Sequence, residues 1–191
     1  MNAAQFKALL GMLPARRGPM TLLFDSSRDG GVTPAAFHRL CDGRGKDCTP
    51  SRAVCWCVGE TGCICDTGHT VVVIRDAEGS ICGGYADVAW TSRTGVCAPS
   101  TVAFLFCLVS SKSPGAAAFQ MRLSGASNQH AMYHHSSYGP FFGGNDLYVH
   151  PNGTVYYTMG TTYRAGPLGA SPSRASTVKV DAMEVWALAD A

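Results

Sequence analysis

Charge is scarce in this sequence, and long apolar runs are missing. Only 15% of the 191 residues are charged, and 15 basic residues nearly balance 13 acidic ones. Nucleic acids and anionic membrane surfaces attract basic faces, so this balance gives no reason to expect either as a partner. The longest apolar run, Ala103 to Val109, is far shorter than the roughly 20 residues of a bilayer-spanning helix. We therefore expect no membrane insertion.

Signatures of common enzyme classes are also missing. The sequence has no Gly-x-Ser-x-Gly elbow, no Walker-type phosphate loop, no His-Glu-x-x-His motif and no calcium loop. His130, His134 and His135 have no carboxylate or thiol ligand nearby in sequence, so solvated histidines are favoured over a catalytic zinc site. His38 lies three residues before Cys41 with no orienting third group, which is weak evidence for a nucleophilic pair. We expect no catalytic residues.

The chain has enough apolar residues for a substantial core. Hydrophobic residues make up 46% of the sequence, and neither an internal repeat nor a linker marks a second domain. We expect one domain over residues 1–191. The segment from Arg164 to Ser176, rich in Gly, Pro, Ser and Ala, is typical of a long surface loop.

The N-terminal segment has two interpretations. A helix from Ala3 to Leu13 would place Phe6, Leu9, Leu10 and Leu13 on one face against the core, and Pro14 would end it. The acid-free, basic stretch from Met1 to Arg17 also resembles an organellar presequence. We favour the helix and a cytoplasmic location, and organellar targeting stays open.

The remaining pattern favours an antiparallel α+β domain. A helix is predicted after Thr33, with Pro34 at its first position and Gly43 after its end. A hairpin is predicted over Thr70 to Tyr85, around a turn at residues 76–79. Further strands are predicted at residues 20–24, 103–109, 118–123, 147–150, 154–159 and 177–188.

A double glycine stands at the centre of the stretch from Tyr138 to Val149. Gly143 and Gly144 indicate a close crossing of backbone segments, because glycine tolerates positive φ and close approach. A strand follows them rather than a helix, which argues against a phosphate cradle. Phe141, Phe142 and Tyr148 are available to a core or to a partner.

The order of these segments resembles the TLDc domain family. The resemblance is carried by Leu13-Pro-Ala-Arg16, Leu22-Leu-Phe-Asp-Ser-Ser-Arg-Asp-Gly30, Ala36-Phe-His-Arg-Leu-Cys-Asp-Gly43, Val72 to Ile74, Cys82-Gly-Gly-Tyr85, Ala103-Phe-Leu-Phe106, Tyr138 to Tyr148 and Met183-Glu-Val-Trp-Ala-Leu188. Its most diagnostic parts are the glycine-aspartate entry into a strand and the terminal Glu-Val-Trp. The residues expected to specify the fold are Gly143, Gly144, Asp146, Glu184 and Trp186.

The resemblance implies a two-sheet antiparallel β-sandwich flanked by short helices, as in oxidation-resistance proteins. It implies no established active site and no cofactor. It also implies a protein-interaction module that binds or regulates a vacuolar-type proton ATPase, with a link to oxidative-stress resistance. The alternatives are an accessory structural subunit of another large complex and a thiol-based redox or metal-binding protein.

A cysteine-rich insert at about residues 44–69 departs from the family pattern. Cys55, Cys57, Cys63 and Cys65 flank a short turn, and a hairpin would place all four thiols on one face, because alternate strand residues share a side. Four such thiols can bind zinc or copper(I), form disulfides, or stay unpaired and part-buried. These alternatives remain open. Cys41 and Cys107 are predicted to lie in the core.

Overall fold

Thirteen strands and two α-helices are found in the part of the chain that the computed structural model describes. That part comprises residues 1–14, 19–44, 56–57, 63–64, 67–125 and 128–188. The helices are α1 (Ala3–Met12) and α2 (Pro34–Cys41). The strands are β1 (Met20–Asp25), β2 (Trp56–Cys57), β3 (Cys63–Ile64), β4 (Thr67–Asp76), β5 (Ile81–Val88), β6 (Val96–Ala98), β7 (Phe104–Val109), β8 (Phe119–Arg122), β9 (Met132–His134), β10 (Phe141–Phe142), β11 (Leu147–His150), β12 (Thr154–Tyr157) and β13 (Thr177–Leu188).

Both helices begin at side chains that cap their first turn. Asn2 and Gln5 form a reciprocal capping box at the start of α1, with distances of 2.8 and 2.9 Å. Thr33 caps α2 by accepting the Ala36 N–H at 3.3 Å, and Pro34 follows it. These caps pair N–H groups that have no partner within a helix.

The strands form one antiparallel ladder that bends into two layers. Sheet I has the order β1-β13-β4-β5-β7-β8, and sheet II has the order β12-β11-β10-β9-β6. Strand β13 joins them, because its residues 177–179 pair with β12 and its residues 180–187 pair with β4. The predicted α+β class, a mainly antiparallel β-sandwich with short flanking helices, is confirmed.

The core lies between the two sheets. Phe142 of sheet II packs over Gly84 of sheet I, so closely that a Cβ on Gly84 would lie 2.6 Å from the phenyl ring. The same ring lies 5.4 Å from Trp90, edge to face. Gly84 therefore lets β10 cross β5 at close range.

A second apolar layer covers the outer face of sheet I. Leu9 of α1 is fully buried there, with Tyr85, Phe104 and Phe106 in the same cluster. The predicted apolar face of α1 is only partly correct, because Phe6 and Leu10 are 39% and 46% exposed. Leu13 packs with Leu9 as predicted, and Ala8 and Met12 accompany them.

The predicted strands and helices are otherwise found within one to three residues at their ends. Two short strands, β6 and β10, were not predicted as separate elements. Among the described residues, no helix has the length and apolar character needed to span a bilayer.

Candidate functional site

The outer face of sheet II carries a row of aromatic side chains, most of them half-exposed. Tyr133, Phe141, Tyr148 and Tyr156 occupy facing positions on β9, β10, β11 and β12. Successive ring centroids lie 4.9, 4.6 and 4.7 Å apart. We call these four residues the aromatic strip. It is continuous because directly opposed side chains on one sheet face are neighbours.

From Phe141 to Tyr156 the rings of the aromatic strip cover each other's faces, whereas Tyr133 meets Phe141 edge to face. The interplanar angle is 12° between Phe141 and Tyr148 and 6° between Tyr148 and Tyr156. Ring edges and tyrosine hydroxyls therefore point outward. The Tyr133, Tyr148 and Tyr156 hydroxyls have no hydrogen-bond partner among the described residues. Burial foremost, and then Tyr156 and Tyr138, raise the pKa of Tyr148, so its hydroxyl stays a neutral donor.

Tyr138 braces the strip from the β9–β10 connection. Its ring lies 5.8 Å from Phe141 and 6.0 Å from Tyr148. His135 and His150 contact it edge to face, at 5.0 and 5.5 Å. The connection therefore determines where one border of the strip lies.

His38 of α2 holds this connection in place. Its Nδ1 lies 2.8 Å from Asp42 Oδ1, and its Nε2 lies 3.1 and 2.9 Å from the carbonyl oxygens of His135 and Tyr138. All three partners are acceptors, so an imidazolium that donates from both nitrogens satisfies them. Burial by itself lowers the pKa of His38, but the Asp42 carboxylate and the two carbonyls outweigh it and raise that pKa above 6.5.

Raising the pH should weaken the contacts that protonated His38 makes with Asp42 and with the carbonyl oxygens of His135 and Tyr138. Because the folded-state pKa of His38 is raised, its stabilising contribution is fully present below pH 6.5 and is lost as pH rises through the folded pKa. Thermal midpoints of the wild-type protein and His38→Gln, compared between about pH 6 and about pH 8.5, should differ most at the acidic end. A difference that stays constant with pH would contradict the inference that protonated His38 stabilises the fold.

Asp146 fixes the loop that follows β12. Its carboxylate is fully buried and accepts four consecutive backbone N–H groups. Oδ1 accepts from Gly160, Thr161 and Tyr163 at 2.9, 2.9 and 3.2 Å, and Oδ2 accepts from Thr162 at 2.8 Å. A single side chain therefore satisfies the loop of residues 160–163, which follows β12.

The turn before Asp146 depends on positive φ angles. Gly143 has φ +70°, and a Cβ there would overlap Asp146 Oδ2. Asn145 has φ +84°, a conformation that asparagine tolerates better than most residues. Gly144 differs, because a Cβ there would come no closer than 3.7 Å to a neighbour. The close neighbour at Gly143 is thus the Asp146 side chain, and the crossing of backbone segments expected at the two glycines stays a prediction.

A cleft of about 420 Å³ opens at the β9 end of the strip. Tyr133, His135, Tyr138 and Phe141 form its aromatic walls, and residues 143–145 form part of its rim. Cys97 and His130 also line it, with His130 Nδ1 3.2 Å from Cys97 Sγ.

The sequence profile of the family described as TLDc domain matches residues 61–189, which is more than half of the chain. The chain belongs to the TLDc domain family. A comparison with curated proteins gave no significant match. The predicted family is thereby confirmed, although the match does not include the resembling segments before residue 61.

Membership characterises the protein coarsely as a regulatory module of the oxidation-resistance type. TLDc domains are generally non-catalytic and imply a protein-interaction role. Among the described residues of this TLDc domain, no three His, Cys, Asp or Glu side chains are grouped as metal ligands.

The cysteine-rich insert of this TLDc domain is described only in part. Strands β2 and β3 pair as a hairpin, with Cys57 opposite Cys63. The thiols of these two residues, and all of Cys55 and Cys65, lie outside the described residues. Zinc or copper binding at this hairpin stays a prediction.

The Glu-Val-Trp ending lies on β13, within sheet I. Trp186 Nε1 donates to Glu184 Oε2 at 2.9 Å, since residues two apart share a strand face. Trp186 also packs on the outer apolar cluster around Leu9. The two side chains thus lie away from the aromatic strip, on the opposite layer.

Of the histidines and cysteines weighed from the sequence, His134 differs from expectation. His134 is buried, not solvated, and burial foremost lowers its pKa to about 4. His130 is exposed as expected. Cys41 and Cys107 are confirmed as core residues. His38 pairs with Asp42 rather than with Cys41.

Sequence reasoning missed the pairing of Cys97 with His130 and the continuity of the aromatic strip. The residues of the strip come from four strands, two of which are only two or three residues long. The alternation Leu147-Tyr-Val-His150 is a signal for an outward-facing Tyr148. The register between strands, which brings the rings together, has no signal in a single sequence.

Proposed function

We propose that this TLDc domain docks on a protein partner through the aromatic strip. The observation that carries the proposal is the row of closely spaced rings on the outer face of sheet II, in which Tyr133, Tyr148 and Tyr156 are partly exposed and Phe141 is buried. Tyrosine is enriched at protein interfaces because it combines a large apolar surface with a polar tip. Rings already fixed by their neighbours lose little side-chain entropy on binding.

The orientation of the rings favours a protein over a planar ligand. Sugars and nucleobases stack on exposed ring faces, and here Tyr148 has Phe141 on one side and Tyr156 on the other. The net charge of +2 also offers little attraction to a nucleic-acid backbone. Outward edges and hydroxyls suit a partner with apolar pockets and carbonyl acceptors.

We propose that the partner is a subunit of the vacuolar-type proton ATPase. Membership of the TLDc family supports this choice, because the family resemblance implies binding and regulation of that enzyme. On this proposal the protein is cytoplasmic, reaches the membrane only through its partner, and contributes to oxidative-stress resistance by regulating the ATPase.

A double substitution of the strip should abolish most of the binding. Tyr148→Ala with Tyr156→Ala removes the two central rings, and we expect affinity for purified ATPase subunits to fall at least about tenfold. Leu10→Ala is the matched control, because Leu10 is an exposed apolar residue on α1, beside sheet I. Titration calorimetry gives the affinities, and thermal midpoints verify that both variants fold.

Two results would count against this proposal. If the wild-type protein does not enrich ATPase subunits from native lysate, the partner is wrong, and an accessory role in another complex replaces it. If the double variant binds as tightly as Leu10→Ala, the strip is not the docking surface.

A further inference from the structure

Cys97 and His130 form a thiol–imidazole pair at the edge of sheet II. Cys97 lies on the edge strand β6, opposite Tyr133, so it extends the row of the aromatic strip by one strand. His130 ends a short 3₁₀-helix of residues 128–130 and places Nδ1 3.2 Å from Cys97 Sγ. At this distance the imidazole can take the thiol proton.

The other cysteines whose side chains are described cannot act in this way. Cys41, Cys82 and Cys107 are at most 1% exposed. Burial foremost raises the pKa of Cys41 to about 12 and that of Cys82 well above its usual value. Buried thiols in apolar surroundings are inert, whereas Cys97 is exposed and has a proton acceptor.

The cleft beside the pair has the size and lining for a small organic molecule. Its volume of about 420 Å³ lies within the usual range of ligand pockets. Aromatic walls favour an apolar, planar chain over a hydrophilic oxidant. The hydroxyls of Tyr133 and Tyr138 have no hydrogen-bond partner among the described residues and can donate to a carbonyl oxygen.

We propose that this cleft is a covalent modification site for small α,β-unsaturated aldehydes and ketones. Cys97 is the nucleophile, and His130 accepts and then returns the proton. The bond from Sγ to the β-carbon forms as the C=C π electrons move to give an enolate. The thiol proton, held on His130 Nδ1, then passes to the α-carbon. The product is a saturated carbonyl compound joined to Cys97 through a thioether. No group leaves, and no oxidant or reductant is needed.

This inference does not depend on the docking function, and it can be tested on the purified chain of residues 1–191. The protein is treated with but-2-enal, and the adduct at each cysteine is followed in time by peptide mass mapping. We expect Cys97 to react before Cys41, Cys82 and Cys107. His130→Gln should slow the reaction at Cys97 at least about tenfold. Gln129→Ala, a change to the exposed neighbour in the same 3₁₀-helix, should alter it less than about twofold.

A second measurement needs no variant. Unfolding in urea separates Cys97 from His130, so the rate at Cys97 should fall although the thiol becomes fully accessible. Equal rates in wild type and His130→Gln, or a rate that does not fall on unfolding, would overturn the proposal that His130 activates the Cys97 thiol. Faster reaction of Cys97 with hydrogen peroxide than with an equal concentration of but-2-enal would overturn the assigned class of ligand.

Discussion

Replacing Asp146 with asparagine is expected to lower the free energy of unfolding by more than about 3 kcal/mol. The wild-type carboxylate accepts four backbone N–H groups in a fully buried position. An asparagine keeps one acceptor oxygen and presents an NH₂ group to donors. Hydrogen bonds to a buried charge are the strong ones, and a buried N–H left unpaired costs about 1–3 kcal/mol.

Asp181→Asn is the matched control for this change. Asp181 also accepts a hydrogen bond, from Arg75 Nε at 2.6 Å, but both of these side chains are 53% exposed. Exposed ion pairs contribute about 0–1 kcal/mol, so this variant should unfold near the wild-type midpoint. Urea titrations followed by tryptophan fluorescence compare the two. Equal destabilisation by both substitutions would show that the loop of residues 160–163 does not depend on Asp146.

Gly143→Val should destabilise the protein by about 3 kcal/mol or more. A β-branched residue is strongly disfavoured at φ +70°, and its Cβ would overlap the Asp146 carboxylate that organises the neighbouring loop. Both effects act on the folded state before any partner is present. We therefore expect loss of thermal stability to accompany any loss of binding.

Gly144→Val tests whether valine destabilises this turn at either glycine or only at Gly143, where φ is positive. Gly144 is exposed, its φ is not positive, and its N–H donates to Thr162 Oγ1 at 2.8 Å, a bond that valine retains. We expect a change within about 1 kcal/mol. Thermal midpoints of the two adjacent variants provide the comparison. If Gly143→Val keeps its midpoint and loses a partner, the turn is a contact surface rather than a determinant of the fold.

Local sequence signals predicted the longer elements because the capping and turn residues that define each element lie next to it in the sequence. The α2 helix has Thr33 and Pro34 at its start and Gly43 after its end, and each acts within one turn of the chain. The β4–β5 hairpin likewise has its turn between the two strands that it joins. The two-layer arrangement was predicted from the family resemblance, because hydrophobic periodicity does not show how strands pack into layers.

Most of the candidate site could not be predicted from the sequence, because residues that are distant in sequence come together only when the strands pair. Cys97 and His130 are 33 residues apart, and His38 contacts carbonyls about 100 residues away. Strands of two or three residues, such as β9 and β10, form only because their neighbours supply hydrogen bonds. The face of α1 was misassigned for a related reason, since sheet I covers the side around Leu9 and leaves Phe6 and Leu10 exposed.

Several features stay predictions from the sequence. They include the single domain over residues 1–191 with its insert at about 44–69, the redox or metal chemistry of the cysteine-rich hairpin, the cytoplasmic location and the identity of the partner complex.

The position of β13 has a consequence for biosynthesis. Residues 184–187 of β13 lie between β1 and β4, and residues 177–179 complete the ladder with β12. During translation, β1 and β4 emerge from the ribosome long before the strand that separates them. A nascent chain therefore exposes two unpaired strand edges until residue 188 is free, and such edges are substrates for chaperones and for aggregation. Closure of the sandwich therefore has to wait for β13 and depends on contacts of high sequence separation.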